Sequence, residues 1–319
     1  MKIVCAGSIA YDYLMTFPGY FKDHILADHL EKISLSFLVD SMTRQRGGVA
    51  PNIAYTMALL GGQPVIMGTV GEDFGEYRAW LESKGIDTSL VKTISGKYTA
   101  SFFANTDLSN NQICSFYTGA MAHAGELSLR DFKGDMPDLL VISPNDPGAM
   151  HKYAQECQEL NVPYLFDPGQ QVVRNDPNEL KLGVLGAAFL FVNEYEFELL
   201  QKHMEMTADE IKDCVKTCVV TCGEKGAFIY TAEKTYNIPV VPVEKIADPT
   251  GVGDAFRGGF LRGLSLGLDM QTCGQMGALA AAYCLEQTGP QSHAYSKAEF
   301  VARYRKNFDD QGNLNALLA

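Results

Sequence analysis

The chain has 319 residues, of which 46% are hydrophobic and 20% charged, a balance typical of a globular protein with a large buried core. The 38 acidic residues outnumber the 26 basic ones, and the resulting net charge of −12 disfavours a dedicated nucleic-acid or acidic-membrane binder. A small phosphorylated ligand stays compatible with this charge, because a few backbone dipoles can hold it locally.

Short apolar strands alternate with amphipathic helices along the chain. The first predicted strand, residues 3–6, is followed too soon by Asp12 for a signal peptide, and no stretch approaches the roughly 18 apolar residues of a membrane span. Further strands are predicted at residues 65–68, 139–143, 164–166, 189–192 and 218–221, with helices at 73–84 and 149–160. Strands that are continuously apolar and separated by helices indicate an α/β fold with a mainly parallel sheet covered on both faces.

Two segments break this rhythm. Residues 34–46 and 99–117 are rich in Ser, Thr and Phe and contain stretches of period two, which predicts antiparallel strands outside the main sheet. We interpret them as a small inserted β-sheet lid, contributed by roughly residues 11–46 and 97–120 of a single domain spanning residues 1–319. An exposed edge of such a sheet favours pairing with a second copy.

The eight cysteines include no CxxC pair. Cys214, Cys218 and Cys222 recur every four residues, but the β-branched run between the last two predicts a strand rather than a helix face for a metal. Free thiols in a reducing cytoplasm are therefore expected.

The segment DPTGVGDAFRGGF, residues 248–260, joins a turn to a helix. Gly251 and Gly253 allow successive N–H groups to face one side, and a helix from Asp254 onward adds the positive end of its dipole. An anion hole of this kind should lower the pKa of Asp254 if it shifts it at all. It suits phosphoryl transfer, whose loose transition state mainly needs an oriented acceptor. The alternative is a flexible connection with Asp254 as a helix cap.

Two familiar phosphate-binding motifs are excluded for this segment. The chain contains no GxxxxGK[ST]. A dinucleotide GxGxxG requires glycine where Phe256 stands, and it follows the first strand rather than lying near the end of the chain.

A second glycine cluster, RGGVAPNIA at residues 46–54, changes the interpretation. The two segments together resemble the two signatures of the ribokinase-like (PfkB) family of carbohydrate and nucleoside kinases, and the resemblance covers nearly the whole chain. It implies a three-layer α/β/α fold with a β-sheet lid. Residues 7–21, 34–40, 46–52, 167–171 and 248–260 look most like the bacterial adenosine kinases of the mycobacterial type.

The resemblance implies an ATP- and Mg²⁺-dependent adenosine kinase that phosphorylates the 5′-hydroxyl to give AMP. It also implies a homodimer that pairs through the lid. Asp254 would act as the base, and the amides of Gly251, Val252 and Gly253 would hold the transferring phosphoryl group. The nucleoside site would comprise Ser8, Asp12, Ser36, Gly48, Asn52, Phe102, Phe116, Gln170 and Gln171. ATP would meet Asn193, Thr221, Gly223, Gly226, Gly251 and Gly253, and Glu196 would bind Mg²⁺ through water.

Physical chemistry supports several of these roles. The Asp12 carboxylate can accept from two vicinal ribose hydroxyls, and glutamine amides can read the edge of a purine. Phe102 and Phe116 on the lid are suited to sandwich an adenine ring, although both also suit packing of the lid against the body. Asn193 and Glu196 alternatively form an ordinary helix N-terminus.

Other functions remain open at the level of the sequence. One is a kinase for a free sugar, and another is a kinase for a different nucleoside such as inosine or guanosine. A third is a nucleoside-binding sensor that has lost catalysis. Gln170, Gln171 and the lid phenylalanines favour a purine, because a free sugar needs no aromatic clamp.

Overall fold

The computed structural model describes residues 1–25 and 35–318. The strands are β1 (Ile3–Ala6), β2 (Ala10–Thr16), β3 (Ser41–Gly47), β4 (Val65–Val70), β5 (Asp87–Thr93), β6 (Ala100–Thr106), β7 (Gln112–Tyr117), β8 (Leu139–Ile142), β9 (Tyr164–Phe166), β10 (Phe189–Asn193), β11 (Thr217–Thr221), β12 (Ala227–Thr231) and β13 (Thr235–Ile238). The α-helices are α1 (Val49–Leu59), α2 (Gly75–Ser83), α3 (Pro147–Leu160), α4 (Pro177–Val184), α5 (Glu194–Met204), α6 (Ala208–Asp213), α7 (Val252–Ser265), α8 (Met270–Leu285), α9 (Lys297–Asn307) and α10 (Asn315–Leu318).

Within the described ranges, nine strands form the large sheet in the order β13-β12-β11-β10-β9-β8-β1-β4-β5. Pairing is parallel from β11 through to β5, and antiparallel where β12 and β13 extend one edge. The predicted α/β fold with a mainly parallel sheet is confirmed. The six predicted strands are all present. The strands that were not predicted are β5 and β13, which form the two edges of the sheet and carry polar residues, and β12, which lies beside β13.

Two apolar layers cover the large sheet, because alternate side chains of each central strand point to opposite faces. Cys5, Val141 and Phe191 face the layer that includes residues of α1 and α7. Val4 and Ile142 face the other layer, which includes residues of α3 to α5. Such burial on both faces explains why the central strands read as continuous apolar runs.

The small sheet has the order β3-β2-β6-β7. The β2–β3 and β6–β7 pairs are antiparallel, but β2 and β6 run parallel, so the predicted wholly antiparallel arrangement is wrong. The chain leaves β2 and returns to β6 only after passing through β3, α1, α2 and two strands of the large sheet, which makes the parallel pairing possible. The part of the lid predicted at residues 26–34 lies outside the described residues.

Parallel strands place their carboxyl ends at one edge of a sheet, where α/β proteins commonly bind ligands. The loops after β1, β9, β10 and β11 therefore meet at a single edge. Across the described residues, no helix combines the length and apolar character needed to cross a membrane.

Candidate active site

A cavity of about 450 Å³ lies between the small sheet and the ligand edge of the large sheet. It gathers side chains that are far apart in the sequence, from β2 near the N-terminus to the start of α7. The predicted site residues that line it are Ser8, Asp12, Gly48, Asn52, Phe102, Phe116, Gln170, Gln171, Gly251 and Asp254.

One row of side chains across the small sheet forms a wall of this cavity. Asp12 pairs directly with Gln45 on β3 and with Phe102 on β6, and Phe102 pairs with Phe116 on β7. Directly opposite residues lie on the same face of a sheet, with Cβ atoms roughly 5 Å apart. The two phenylalanines therefore stand side by side, with no room for an adenine ring between them. They do not form the two sides of the predicted sandwich.

The catalytic candidate Asp254 lies in the first turn of α7. The helix begins at Val252, two residues before the predicted start, and Gly251 caps it with φ +77°. A Cβ on Gly251 would lie 2.3 Å from Cβ of Pro290, so both the conformation and the space favour glycine. The turn expected at Asp248 is present, because its carboxylate accepts from the backbone N–H of Thr250 at 2.9 Å.

Burial raises the pKa of Asp254 to about 6, with a smaller contribution from the charge of Glu196, while Arg257 and the hydrogen bond from Asn52 lower it. The expected lowered pKa is therefore wrong. Desolvation by the surrounding protein outweighs the helix terminus, and none of the helix N–H groups is directed at the carboxylate. Asp254 is ionised at neutral pH and still basic enough to take a proton.

Asp12 faces Asp254 across the cavity. Burial raises its pKa to about 6, and the charges of Asp248 and Asp254 add to the effect. A Cβ on Gly47 would lie 2.5 Å from Oδ2 of Asp12, so a larger residue at position 47 would displace this carboxylate from its present position.

Gly48 adopts φ +93°, and a Cβ there would lie 2.5 Å from the carbonyl oxygen of Ser8. The Ser8 Oγ accepts from the N–H of Val49 at 3.2 Å, at the start of α1. The loop after β1 and the start of α1 are therefore locked together, which fixes one end of the cavity.

The comparisons with known proteins agree with this geometry. The model of the pfkB family carbohydrate kinases matches residues 3–297. The chain belongs to this family.

Relatives that span nearly the whole chain include kinases of nucleosides. A nucleoside kinase of Methanocaldococcus jannaschii is 30% identical over 308 residues, covering 96% of this chain and 97% of its own. The structure of a Burkholderia thailandensis nucleoside kinase in complex with inosine is 36% identical, with a TM-score of 0.86 over 96% of this chain and 99% of that chain. The same enzyme in complex with ADP-inosine gives 38% identity and a TM-score of 0.83 over 96% of each chain.

Four of the residues predicted to meet ATP lie outside the cavity of this pfkB-family protein, at the ends of two neighbouring strands. Asn193 of β10 pairs in register with Thr221 of β11, and Gly223 and Gly226 follow in the next turn. The Oδ1 of Asn193 accepts from the N–H of Glu196, and Oε2 of Glu196 accepts from the N–H of Asn193, both at 2.8 Å. These two side chains thus form a capping box for α5, as the alternative interpretation expected.

The capping role leaves one oxygen of Glu196 without a hydrogen bond to the described residues, and this carboxylate lies close enough to raise the pKa of Asp254. In residues 1–25 and 35–318, no three His, Cys, Asp or Glu side chains group as a metal site. A single carboxylate of this kind suits Mg²⁺, which keeps several waters when bound.

Three of the residues predicted for the nucleoside site and the catalytic centre do not line the cavity. Ser36 is exposed on the extended segment that precedes β3, where the chain has not yet entered the small sheet. Val252 and Gly253 lie in the first turn of α7, next to the cavity residues Gly251 and Asp254.

A buried ion pair beneath Asp254 was not predicted. Arg257, one turn further along α7, donates from Nη2 to Oδ1 of Asp167 at 2.9 Å, and its Nε lies 2.6 Å from Oδ2. Burial raises the pKa of Asp167, and the guanidinium counteracts part of this effect. The signal available in the sequence was an arginine among the small and apolar residues of the helix DAFRGGF.

Arg174 and Gln291 were also not predicted. Arg174 lines the cavity near Gln170 and Gln171, and its guanidinium makes no hydrogen bond within the described part of the chain. Gln291, in the loop after α8, donates to Oδ1 of Asn52 at 2.7 Å. Neither belongs to a recognisable motif, so only the fold brings them to the site.

Proposed function

We propose that the protein is a nucleoside kinase that transfers the γ-phosphoryl group of ATP to the 5′-hydroxyl of adenosine, giving AMP and ADP. One observation carries the proposal. The carboxylate at the start of α7, Asp254, shares a cavity with Asp12 and with the aromatic wall of Phe102 and Phe116. One ligand in this cavity could therefore meet a proton acceptor in Asp254, a partner for its ribose hydroxyls in Asp12, and an aromatic surface for its purine ring.

Asp254 would orient the 5′-hydroxyl and accept its proton as the bond to phosphorus forms. With a pKa raised to about 6 by burial, the group is ionised at neutral pH but remains a usable base. The amides of residues 251–254 at the start of α7 would stabilise charge on the transferring group, since a helix N-terminus carries partial positive charge. ADP leaves as the phosphoryl group reaches the nucleoside oxygen.

Asp12 would hold the ribose through two hydroxyls, and Gly48 and Asn52 would complete the sugar site. Asn52 has one hydrogen of its amide directed at Asp254 at 2.8 Å, which leaves the second for a sugar oxygen. Asn52 would therefore belong to both the sugar site and the catalytic centre.

On the nucleotide side, Asn193, Thr221, Gly223 and Gly226 would contact ATP, and the free oxygen of Glu196 would hold Mg²⁺ through water. The ion would supply positive charge to the phosphates. The complex of the Burkholderia thailandensis nucleoside kinase with ADP-inosine supports a nucleotide site in this fold.

The adenine ring would lie against Phe102 and Phe116. Gln171 supports a purine, because its Oε1 is buried and has no hydrogen-bond partner in residues 1–25 and 35–318. That acceptor matches the exocyclic amino group of adenine.

A second candidate substrate is a 6-oxopurine nucleoside such as inosine. The observation that favours it is Arg174, a cation that lines the same end of the cavity and can donate to the O6 and N7 acceptors of such a ring. The Burkholderia thailandensis nucleoside kinase in complex with inosine supports this alternative.

A substrate panel tests the proposal. Transfer of labelled γ-phosphate would be measured with adenosine, inosine, guanosine, cytidine and free ribose at matched concentrations. We expect adenosine to give the highest kcat/KM. A preference for inosine that is lost in Arg174→Gln would establish the second candidate, and a preference for free ribose would overturn the proposal.

We also propose that the small sheet acts as the lid of a single domain and as the interface of a homodimer. Its face opposite the cavity carries Tyr13 stacked on Phe103, with ring centroids 4.9 Å apart, and the edge strand β7 is exposed along its length. Light scattering across a concentration series would test it. We expect a dimer for the unaltered protein and a monomer for Ile113→Lys, whereas a monomer for both would contradict the proposal.

A further inference from the structure

A chain of buried hydrogen bonds connects the end of β3 to the catalytic candidate Asp254. The hydroxyl of Tyr77 donates to the carbonyl oxygen of Gly47 at 3.0 Å and accepts from Nε2 of Gln291 at 2.5 Å. The same Nε2 donates to Oδ1 of Asn52 at 2.7 Å, and Nδ2 of Asn52 donates to Oδ2 of Asp254 at 2.8 Å. Tyr77, Gln291 and Asn52 are 0%, 8% and 5% exposed, so water cannot readily replace these bonds.

The directions of these bonds are fixed by chemistry. A backbone carbonyl can only accept, so the Tyr77 hydroxyl donates its single hydrogen to Gly47 and offers only lone pairs to Gln291. Gln291 must therefore direct its NH₂ group at Tyr77, and the second hydrogen of that group reaches Oδ1 of Asn52. With its oxygen engaged, Asn52 can present only its NH₂ group to Asp254.

We propose that Gln291 is a positioning residue for phosphoryl transfer, because it fixes the Asn52 amide in the orientation that pairs more strongly with ionised than with protonated Asp254. The proposal rests on the proposed function in taking Asp254 as the base. It goes beyond that function by assigning a role to a loop residue that touches neither the sugar nor the reacting atoms.

The physical reason is a selection between two protonation states. If the amide were free to turn, Oδ1 of Asn52 could accept from a protonated Asp254 as readily as Nδ2 donates to an ionised one. Gln291 removes the first arrangement by occupying Oδ1. The Asn52 N–H then donates a stronger hydrogen bond to the ionised carboxylate than to the carbonyl oxygen of the protonated group, so this bond acts against the desolvation that raises the pKa of Asp254.

The other charged groups around Asp254 do not depend on Gln291. Arg257 of α7 lowers the pKa of Asp254, and Glu196 of α5 raises it. Asp12 of β2 lies across the cavity, and Asp248 of the loop before α7 is near enough to raise the pKa of Asp12. Asp167, which pairs with Arg257, is near enough for the charge of Asp254 to raise its pKa. A change at Gln291 leaves all these groups in place.

The test uses Gln291→Met, which keeps the length of the side chain but removes both hydrogens, with Tyr77→Phe as the matched control. Tyr77→Phe also loses buried hydrogen bonds, but it keeps the bond from Gln291 to Asn52. The titration of Asp254 would be followed by NMR of carboxyl-labelled protein, with Asp254→Asn to assign the signal. Nucleoside phosphorylation would be measured across the same pH range.

In Gln291→Met, we expect the pKa of Asp254 to rise by about one unit, the size of effect that one hydrogen bond to a charged group has on an ionisation. We expect kcat near pH 6 to fall several-fold, to recover toward pH 8, and to fall more than KM rises. Tyr77→Phe should shift the pKa by less than half as much. Equal shifts in the two variants, or no shift in Gln291→Met, would show a merely structural role and overturn the proposal.

A measurement on the unaltered protein keeps the proposal testable if Gln291→Met does not fold. The Nδ2 protons of Asn52 should shift through the same pH range as the Asp254 carboxyl, while the Nε2 protons of Gln291 shift little. If the chemical shifts of the Asn52 Nδ2 protons do not change as Asp254 titrates, the proposal is overturned. Neither NMR measurement requires turnover, so an absence of nucleoside phosphorylation would count against the proposed function alone.

Discussion

The most distinctive prediction from this site is that the protein loses its kinase activity in mild acid, as two carboxylates become protonated. Asp12 and Asp254 both have pKa values raised to about 6 by burial, and the proposed chemistry needs both ionised. One pH unit above such a value about 90% of each group is ionised, and one unit below about 10%. We therefore predict that kcat/KM for the nucleoside falls about 100-fold between pH 7 and pH 5, compared with about tenfold for a single group.

The sign follows from the ionised state of the base. A raised pKa means that a carboxyl already takes up its proton under mildly acidic conditions, so activity is complete above the pKa and is lost as the pH falls through it. An ordinary surface aspartate would not titrate in this range, because its pKa lies near 4.

The assay is the initial rate of transfer from saturating ATP at nucleoside concentrations below KM, with circular dichroism to confirm folding at each pH. Asp12→Asn is the control, because it removes one of the two groups while leaving any titration of ATP unchanged. This variant should be less active at every pH, but its kcat/KM should fall only about tenfold, rather than about 100-fold, between pH 7 and pH 5. An equal fall in kcat/KM between pH 7 and pH 5 in the two proteins, or a kcat/KM that does not change over this range, would refute the reasoning.

Other substitutions probe separate parts of the site. Gly48→Ala should weaken nucleoside binding, because φ +93° strains an alanine and its Cβ would lie 2.5 Å from the carbonyl of Ser8; calorimetry showing unchanged affinity would contradict this. Arg257→Met should lower the free energy of unfolding by about 3–5 kcal/mol, because Asp167 loses its buried partner. Urea denaturation measures it, and an unchanged midpoint would count against the ion pair. Phe102→Leu should raise KM for the nucleoside by roughly 5- to 160-fold with little change in kcat, since stacking contributes about 1–3 kcal/mol.

The sequence was sufficient to predict those features whose physical signal lies in a few neighbouring residues. The central strands are buried on both faces and therefore read as apolar runs, and the turn at Asp248 follows from Asp-Pro. Gly48 and Gly251 lie where backbone with positive φ meets other chain segments, so glycine itself marks these two positions. Most of the residues that line the cavity belong to such motifs, which is why they were predicted together.

The sequence was insufficient to predict those features that depend on burial or on contacts between residues far apart in the chain. The raised pKa of Asp254 depends on how much protein surrounds it, which no motif expresses. The partners Gln291 and Asn52 are 239 residues apart, and Asp167 and Arg257 are 90 residues apart. The register of β6 with β7 puts Phe102 beside Phe116, whereas the sequence alone allowed them to face each other.

Turnover and binding measured together in Asp254→Asn test the central claim most directly. The amide is nearly the same size as the carboxylate but cannot accept the proton of the 5′-hydroxyl. We predict a loss of about 10²–10⁴-fold in kcat and a nucleoside Kd by calorimetry within about threefold of the unaltered protein, because Asp12 and the aromatic wall remain. Near-normal kcat, or a loss of binding as large as the loss of turnover, would contradict the assignment of Asp254 as the base.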